Sequence, residues 1–295
     1  MPRPAASDDY FLDPRSIRRA FDNAAATFDS AAVVHAEIRT RLLERLDVVR
    51  LDPSLIVDLG AATGHGSRAL KDRYPRSQVL AVDMSTRMLA EARRQQRWLR
   101  RFQLVAADAS HLPLRDGSAE LAFSNLMLQW CNDPDAIFRE TRRVLRPGGL
   151  FTFASLGPDS LRELRNAWNA IDAHVHVHRF IDMHDLGDAL MRAGFAEPVM
   201  DTERLTITYR SIDTLLQELK HSGSGNVAAG RGRGLTPRTA RRRLETALDA
   251  ARVKDLLPIT LEVVYGHAWT VEKPEARRDR SEMVVPIASI KRRTI

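Results

Sequence analysis

The chain has 295 residues, 44% hydrophobic and 28% charged, an ordinary globular composition long enough to bury a full core. No apolar run approaches the ~18 residues of a membrane span, and the opening MPRPAASDDYFLDPRS has acids but no apolar signal core, so a cytoplasmic protein without a membrane partner is expected. A single cysteine, Cys131, excludes an internal disulfide framework, and a net charge of +7 with pI near 10.0 favours acidic partners without naming one.

In chain order, apolar residues recur at helical spacing from Arg15 to Asp47 (Ile17, Ala20, Phe21, Ala24, then Val34, Ile38, Leu42, Leu46), which predicts two amphipathic helices. Asp52-Pro53 ends them. Short apolar strands then alternate with helices: strand 54–59, helix 65–73, strand 78–83, helix 85–94, strands 102–108 and 119–125, helix 133–145, strand 149–155. This rhythm indicates βαβ units and a mostly parallel sheet covered on both faces. Ser85 and Asp133 read as helix N-caps, and Pro147-Gly148-Gly149 as a helix stop and tight turn. Helix 158–173, an extended segment 174–180, helix 182–193, strand 204–210, helices 211–221 and 236–251, and a late strand 257–269 follow. The domain division expected is an N-terminal helical lid at 1–50, whose helices could equally pack as a permanent outer layer, a main domain at 51–270 with substrate-facing elements near 156–185 and 222–251, and a charged, partly mobile tail at 271–295.

The stretch IVDLGAATGHG (56–66) joins a strand to a small-residue turn. A dinucleotide fingerprint needs glycine at the third and sixth turn positions, where Ala62 and His65 stand; a triphosphate loop needs a lysine after its last glycine, and there is none. Gly60 and Gly64 permit a sharp turn and close approach to a ligand beyond the strand ends. Asp58, Asp83 and Asp108 close three strands, which suits a nucleoside site without a pyrophosphate cradle: Asp83 for ribose hydroxyls, Asp108 for an exocyclic amine. Taken singly, each of these acids could be a helix cap or an ordinary loop acid.

DLGAATG, AVDMS, AADASHLPL, SNLMLQWCNDP and VLRPGG together resemble, in order and spacing, the motifs of class I S-adenosylmethionine-dependent methyltransferases over residues 54–155. The resemblance implies an α/β Rossmann-like sheet of about seven mostly parallel strands with flanking helices, with LPITLEVVYGHAW as the antiparallel end. It implies S-adenosylmethionine as cofactor, bound by Asp58, Gly60, Ala61, Gly64, Asp83, Met84, Asp108, Ala109 and Asn125, with alanines at 61 and 62 small enough to keep the backbone contact. SNLMLQWCNDP, SLGPDSLRELRNAW, RRAFDNAAATFDSAA, HRF and LEVVYGHAW resemble more closely the methyltransferases of biotin synthesis that esterify malonyl-acyl carrier protein. Phe28 departs from the tyrosine common in that family, and His35 from a glutamine.

A malonyl carboxylate, pKa about 4, is already ionised at neutral pH and needs no general base, so a positioned, dry site suffices. Arg179 is the expected bidentate partner of that carboxylate, with Ser124 and Asn125 at the transfer centre and Phe28, Trp130 and His178 at the substrate. Gln129-Trp130 reads as a pocket wall or a core anchor. His174, His176 and His178 would share one face of an extended segment; methylation of a carboxylate needs no metal, and none is expected. RGRGLTPRTARRR (231–243) holds six arginines, among them Arg231, Arg233, Arg241 and Arg242. It reads as a solvated basic face or as a dock for an acidic acyl carrier protein, and the lack of interleaved aromatics speaks against nucleic acid. The alternatives are a related methyltransferase acting on a quinone precursor or small acid, and a non-catalytic assembly factor or basic binding module of the same fold.

Overall fold

The computed structural model describes residues 10–271 except 233 and 235, so all but the first residue of the tail expected at 271–295, and Arg233, lie outside the described residues. Seven strands, β1 (Leu55–Leu59), β2 (Gln78–Asp83), β3 (Gln103–Ala106), β4 (Ala119–Asn125), β5 (Leu145–Leu156), β6 (Phe195–Tyr209) and β7 (Leu257–Thr270), form one sheet in the order β3-β2-β1-β4-β5-β7-β6. The first five pair in parallel, and β7 runs antiparallel to both β5 and β6. The strand order reverses between β1 and β4, the point at which open α/β sheets bind their ligands.

Helices α1 (Pro14–Ala24), α2 (Phe28–Ala31) and α3 (Val33–Glu44) precede the sheet, and α4 (His65–Arg73), α5 (Thr86–Arg94) and α6 (Pro134–Val144) are its crossovers. Their starts follow local chemistry. Asp13 accepts from the amides of Arg15 and Ser16 ahead of Pro14, Ser85 Oγ from the Met88 amide, and Asp133 Oδ1 from the Ala136 amide. Strands LIVDL and QVLAVD are nearly continuous apolar runs because helices cover both faces.

One core face joins Val57, Leu59, Phe138, Phe151 and Phe153; the other joins Ile38, Leu42 and Leu46 to Ile56, Phe123 and Leu150. Burying each such apolar side chain contributes about 1.5–3 kcal/mol. Thus α3 is a fixed layer of the main core, whereas α1 and α2 lie across the carboxyl ends of the strands. Of the two packings expected for the N-terminal helices, α3 takes that of an outer layer, while α1 and α2 cover the strand ends where a lid was expected.

Helices α7 (Arg162–Asn169), α8 (Met183–Arg192), α9 (Ile212–His221) and α10 (Arg238–Asp249) complete the chain. Leu164, Trp168, Leu215, Leu244, Leu248 and Ile259 form a separate cluster where α7, α9 and α10 meet the sheet. Three expectations differ in detail. Residues 158–161 are not helical, because Leu161 adopts a left-handed φ of 56°. Pro147-Gly148-Gly149 is not a free turn but the irregular start of β5, where Gly148 takes φ 74° and the Gly149 amide donates to Thr270 Oγ1 at 2.9 Å. β6 begins at Phe195 rather than 204. Among the described residues no helix is long and apolar enough to cross a membrane.

Candidate active site

The turn after β1 is shaped by what surrounds it. Gly60 has φ 72°, and a Cβ there would meet Met127 Cβ at 2.5 Å, so only glycine fits. The Gly60 and Ala61 amides donate to Val82 O at 2.9 and 3.0 Å, locking the turn to β2. Ala62 follows at φ 47°, a left-handed conformation that an alanine adopts at a cost, and its amide donates to Asp83 Oδ2 at 2.9 Å. Gly64 faces elsewhere. A Cβ on it would meet the Phe102 ring at 2.7 Å, and it lines none of the site cavities, so its role is packing rather than the expected ligand contact.

Above the turn lies a cavity of about 380 Å³. Gly60, Asp83, Met84, Asp108, Ala109 and Asn125 line it from the strand ends, and Phe21, Phe28 and His35 from the N-terminal helices. Asp83, Asp108 and Asp133 are among its lining residues, and no lysine or arginine among the described ones is. Asp83 Oδ1 accepts from the Ser85 amide at 2.8 Å, and burial pushes its carboxyl up to about 6. Asp108 Oδ1 accepts from the Ser110 amide and hydroxyl at 2.8 and 2.7 Å. The Asn125 amide donates to His35 O at 3.1 Å, while its buried Oδ1 has no partner among the described residues.

A smaller cavity of about 40 Å³ opens beside the first and is lined by Asp58, Ala61, Arg39 and Thr63. Asp58 is buried and accepts from Ser67 Oγ at 2.6 Å. Burial, with the neighbouring Asp83 charge, raises its carboxyl to about 7 against the opposing Ser67 hydrogen bond and Arg39. The covering helices are tied down by side chains: Ser85 Oγ donates to Asp22 at 2.6 Å, and Asn132 exchanges two 2.8 Å hydrogen bonds with the Leu12 backbone.

His35, Leu126 and Trp130 separate the main cavity from a second one of about 70 Å³, lined also by Gln129, His178, Tyr209 and Glu218. His178 is buried between Trp130 and Phe180, with ring centroids 4.9 and 4.8 Å away. Burial, with Arg165 nearby, lowers it to about 4, so it is neutral at physiological pH. His35 is likewise lowered to about 4 by burial and by Arg39.

Two expected catalytic residues are not brought to this site. Ser124 is fully buried and its hydroxyl donates to Leu59 O at 3.1 Å, tying β4 to β1 instead of facing the cavity. Arg179 is exposed and lines neither cavity; its guanidinium lies 4.6 Å from the Tyr10 ring centroid. Nor do the three alternating histidines share a face. Segment 174–178 is irregular: His174 is exposed, His176 stacks on Trp168 at 3.7 Å and contacts Asp172 at 2.8 Å, and only His178 turns inward. In the basic segment Arg231 donates to Val227 O and Ala228 O, Arg241 is held by Asp213 and Glu245, and Arg242 is exposed. Phe21, Tyr209 and Glu218 were invisible as site residues in the sequence, since each arrives from an element distant in the chain and reads as an ordinary amphipathic position.

Residues 57–153 match the family model described as a methyltransferase domain. The chain is 48% identical to the malonyl-[acyl-carrier protein] O-methyltransferase of Laribacter hongkongensis, over 92% of this chain and 93% of that one. It is 45% identical to the protein of that name from Methylovorus sp. (strain MP688), again over 92% and 93%. Among solved structures, the YcgJ protein of Bacillus subtilis superposes with a TM-score of 0.57 at 17% identity, covering 79% of this chain and 98% of that one, which supports the fold. With the sheet order, the motif set and these likenesses in agreement, the chain belongs to the malonyl-[acyl-carrier protein] O-methyltransferase family and has the class I methyltransferase fold.

Proposed function

We propose that the protein transfers the methyl group of S-adenosylmethionine to the free carboxylate of malonyl-acyl carrier protein, giving the malonyl methyl ester that primes the pimeloyl chain of biotin, in the cytoplasm. The observation that carries the cofactor assignment is the charge of the main cavity. In a chain of net charge +7, its lining has carboxylates and, among the described residues, no lysine or arginine, which favours a cationic nucleoside over a phosphorylated one.

The residues present fit that cofactor. Asp83 would hold the ribose hydroxyls, Asp108 and Ala109 the adenine edge, and Met84 would pack on the base. Gly60 and Ala61, with Asp58 behind them, would face the amino-acid end. When bound, the cofactor supplies an electrophilic methyl on a positively charged sulfur. The protein's part is to orient and to dry: His35, Leu126 and Trp130 exclude water where the cavities meet, and Asn125, in the wall of the main cavity beside Phe28, offers a buried oxygen with no partner among the described residues. The acceptor carboxylate enters ionised. One oxygen–methyl bond forms, one sulfur–methyl bond breaks with its electron pair left on sulfur, and no proton moves, so no acid–base pair is required.

For the carrier, we propose docking on the basic face around Arg242, with Arg231 and Arg241 adding to the field; Arg233 of the same segment lies outside the described residues. The internal pairing of Arg241 makes it a weaker contributor than its exposed neighbour. The decisive experiment is labelled-methyl transfer to malonyl-acyl carrier protein, malonyl-coenzyme A and a quinone precursor, beside calorimetry with S-adenosylmethionine. Ester formed on the malonyl thioesters supports the reading. Label on the quinone alone, or no cofactor binding at millimolar concentration, refutes it.

A further inference from the structure

The second cavity carries polar atoms that its neighbours leave unsatisfied. His178 and Gln129 are each 6% exposed, and neither His178 Nε2 nor Gln129 Oε1 has a hydrogen-bond partner among the described residues. An orphaned buried polar atom costs about 1–3 kcal/mol. Both belong to residues that line one cavity, and Trp130, against which His178 is packed, lines that cavity and the main one. The imidazole is held between Trp130 and Phe180, which fixes the direction of its free nitrogen.

Charge then decides how an acceptor would lie. Neither lysine nor arginine lines the second cavity among the described residues, while Glu218 does, with the Tyr209 hydroxyl beside it. Arg165, which depresses His178, is held by hydrogen bonds to Pro158 O and Ser160 O and lines neither cavity. A carboxylate seated deep in this cavity would find no cation and would face Glu218. The neutral, hydrogen-bonding part of an acceptor suits it better, with the charged end turned toward the wall of His35, Leu126 and Trp130.

We infer that the second cavity takes the thioester end of the acceptor and that His178 and Gln129 are its positioning residues. His178, as the neutral Nε2–H tautomer, donates to the thioester carbonyl, and the Gln129 side-chain amide holds the first amide group of the carrier's arm. This inference rests on the function proposed above. It places acceptor recognition on two uncharged side chains and leaves Arg179 outside the site.

The test uses His178→Phe, which keeps ring volume and aromatic contacts, His178→Gln, whose amide restores a donor, and Gln129→Met. KM for malonyl-acyl carrier protein should rise at least tenfold in His178→Phe and about fivefold in Gln129→Met, with part of the loss recovered in His178→Gln. The Kd of malonyl-acyl carrier protein in the presence of S-adenosylhomocysteine should follow, and the Kd of S-adenosylmethionine should stay within twofold. Acceptor KM and Kd within twofold of wild type in both His178→Phe and Gln129→Met would overturn the assignment, as would an equal loss of cofactor binding. A wild-type protein that binds cofactor yet methylates no malonyl thioester overturns the proposed function as well, so the two failures are distinguishable.

Discussion

Asp29 of α2 accepts a 2.5 Å hydrogen bond from Thr63 in the glycine turn. Helix α2 is thus fastened to the loop that shapes the main cavity. Gln95 Nε2 donates to the other Asp29 oxygen at 2.6 Å, and His65 Nε2 lies 3.3 Å from it. Burial works against the charge, but Thr63, Gln95 and His65 outweigh it and hold the carboxyl below its usual range. A depressed acid contributes stability that is present above its unfolded pKa and lost as pH falls through the folded one. The latch is therefore engaged throughout pH 5–8. Asp29→Ala should remove about 1–3 kcal/mol of closure and raise the cofactor dissociation rate about tenfold or more, measurable by stopped-flow displacement.

Asp58 and Asp83 behave in the opposite sense. Burial raises them to about 7 and about 6, so both are largely neutral at pH 5 and ionised at pH 8. A raised acid contributes stability that is present below its unfolded pKa and lost as pH rises through the folded one. The empty protein should accordingly lose Tm between pH 5 and 8, and Asp58→Asn should flatten that slope. A cationic ligand prefers the ionised acids, so cofactor affinity should rise over the same interval with net proton release. Calorimetry at pH 6.5 in two buffers of different ionisation enthalpy measures that release; identical heats would contradict it.

The turn offers a contrast between two neighbouring small residues. Gly60→Ala forces a Cβ to within 2.5 Å of Met127 and should cost more than ~2 kcal/mol, with a large drop in Tm. Ala62→Gly relieves a left-handed alanine at φ 47°, worth about 1–2 kcal/mol, against the about 0.4–1 kcal/mol that glycine adds to unfolded-state entropy. Its Tm should be unchanged or slightly higher, with cofactor affinity retained. A destabilised Ala62→Gly would show that the alanine methyl is needed at the cavity wall.

Arg179→Ala and Ser124→Ala test the two residues that the motif likeness placed in catalysis and the fold does not. Loss of an exposed cation–π contact with Tyr10 costs about 0.5–1 kcal/mol, and loss of the Ser124–Leu59 hydrogen bond about 1 kcal/mol. Both should appear in Tm, with kcat/KM within threefold of wild type. A tenfold rise in acceptor KM for Arg179→Ala would return that guanidinium to the site.

The sheet was legible where strands are buried on both sides, because a short apolar run admits few other structures. β1, β2 and β4 stand within a residue of where their sequences put them. β6 was read only from its second half. Its first half, from Phe195 to Glu203, alternates half-buried and exposed positions along an edge strand, with Pro198 and three acids that weaken any strand signal. That Asp83 and Asp108 would line one cavity was legible because strand ends in this topology converge on one place. Arg179 was not, because the direction of a side chain in the irregular 174–180 segment is set by Trp168, Phe180 and Tyr10, partners that local spacing does not reveal. For the same reason the alternation of His174, His176 and His178 did not become a shared face.

Trp130 meets Phe21 of α1 edge-on at 5.2 Å and His178 at 4.9 Å, and it belongs to the walls of both cavities. A single indole therefore stands between the covering helix and His178. If the acceptor sits as proposed, any swing of α1 large enough to let spent cofactor out must disturb the surface assigned to the ester, and the two products should leave in one correlated event. The same ring reports on it: its emission should change once per turnover, giving the chain an intrinsic clock for product discharge.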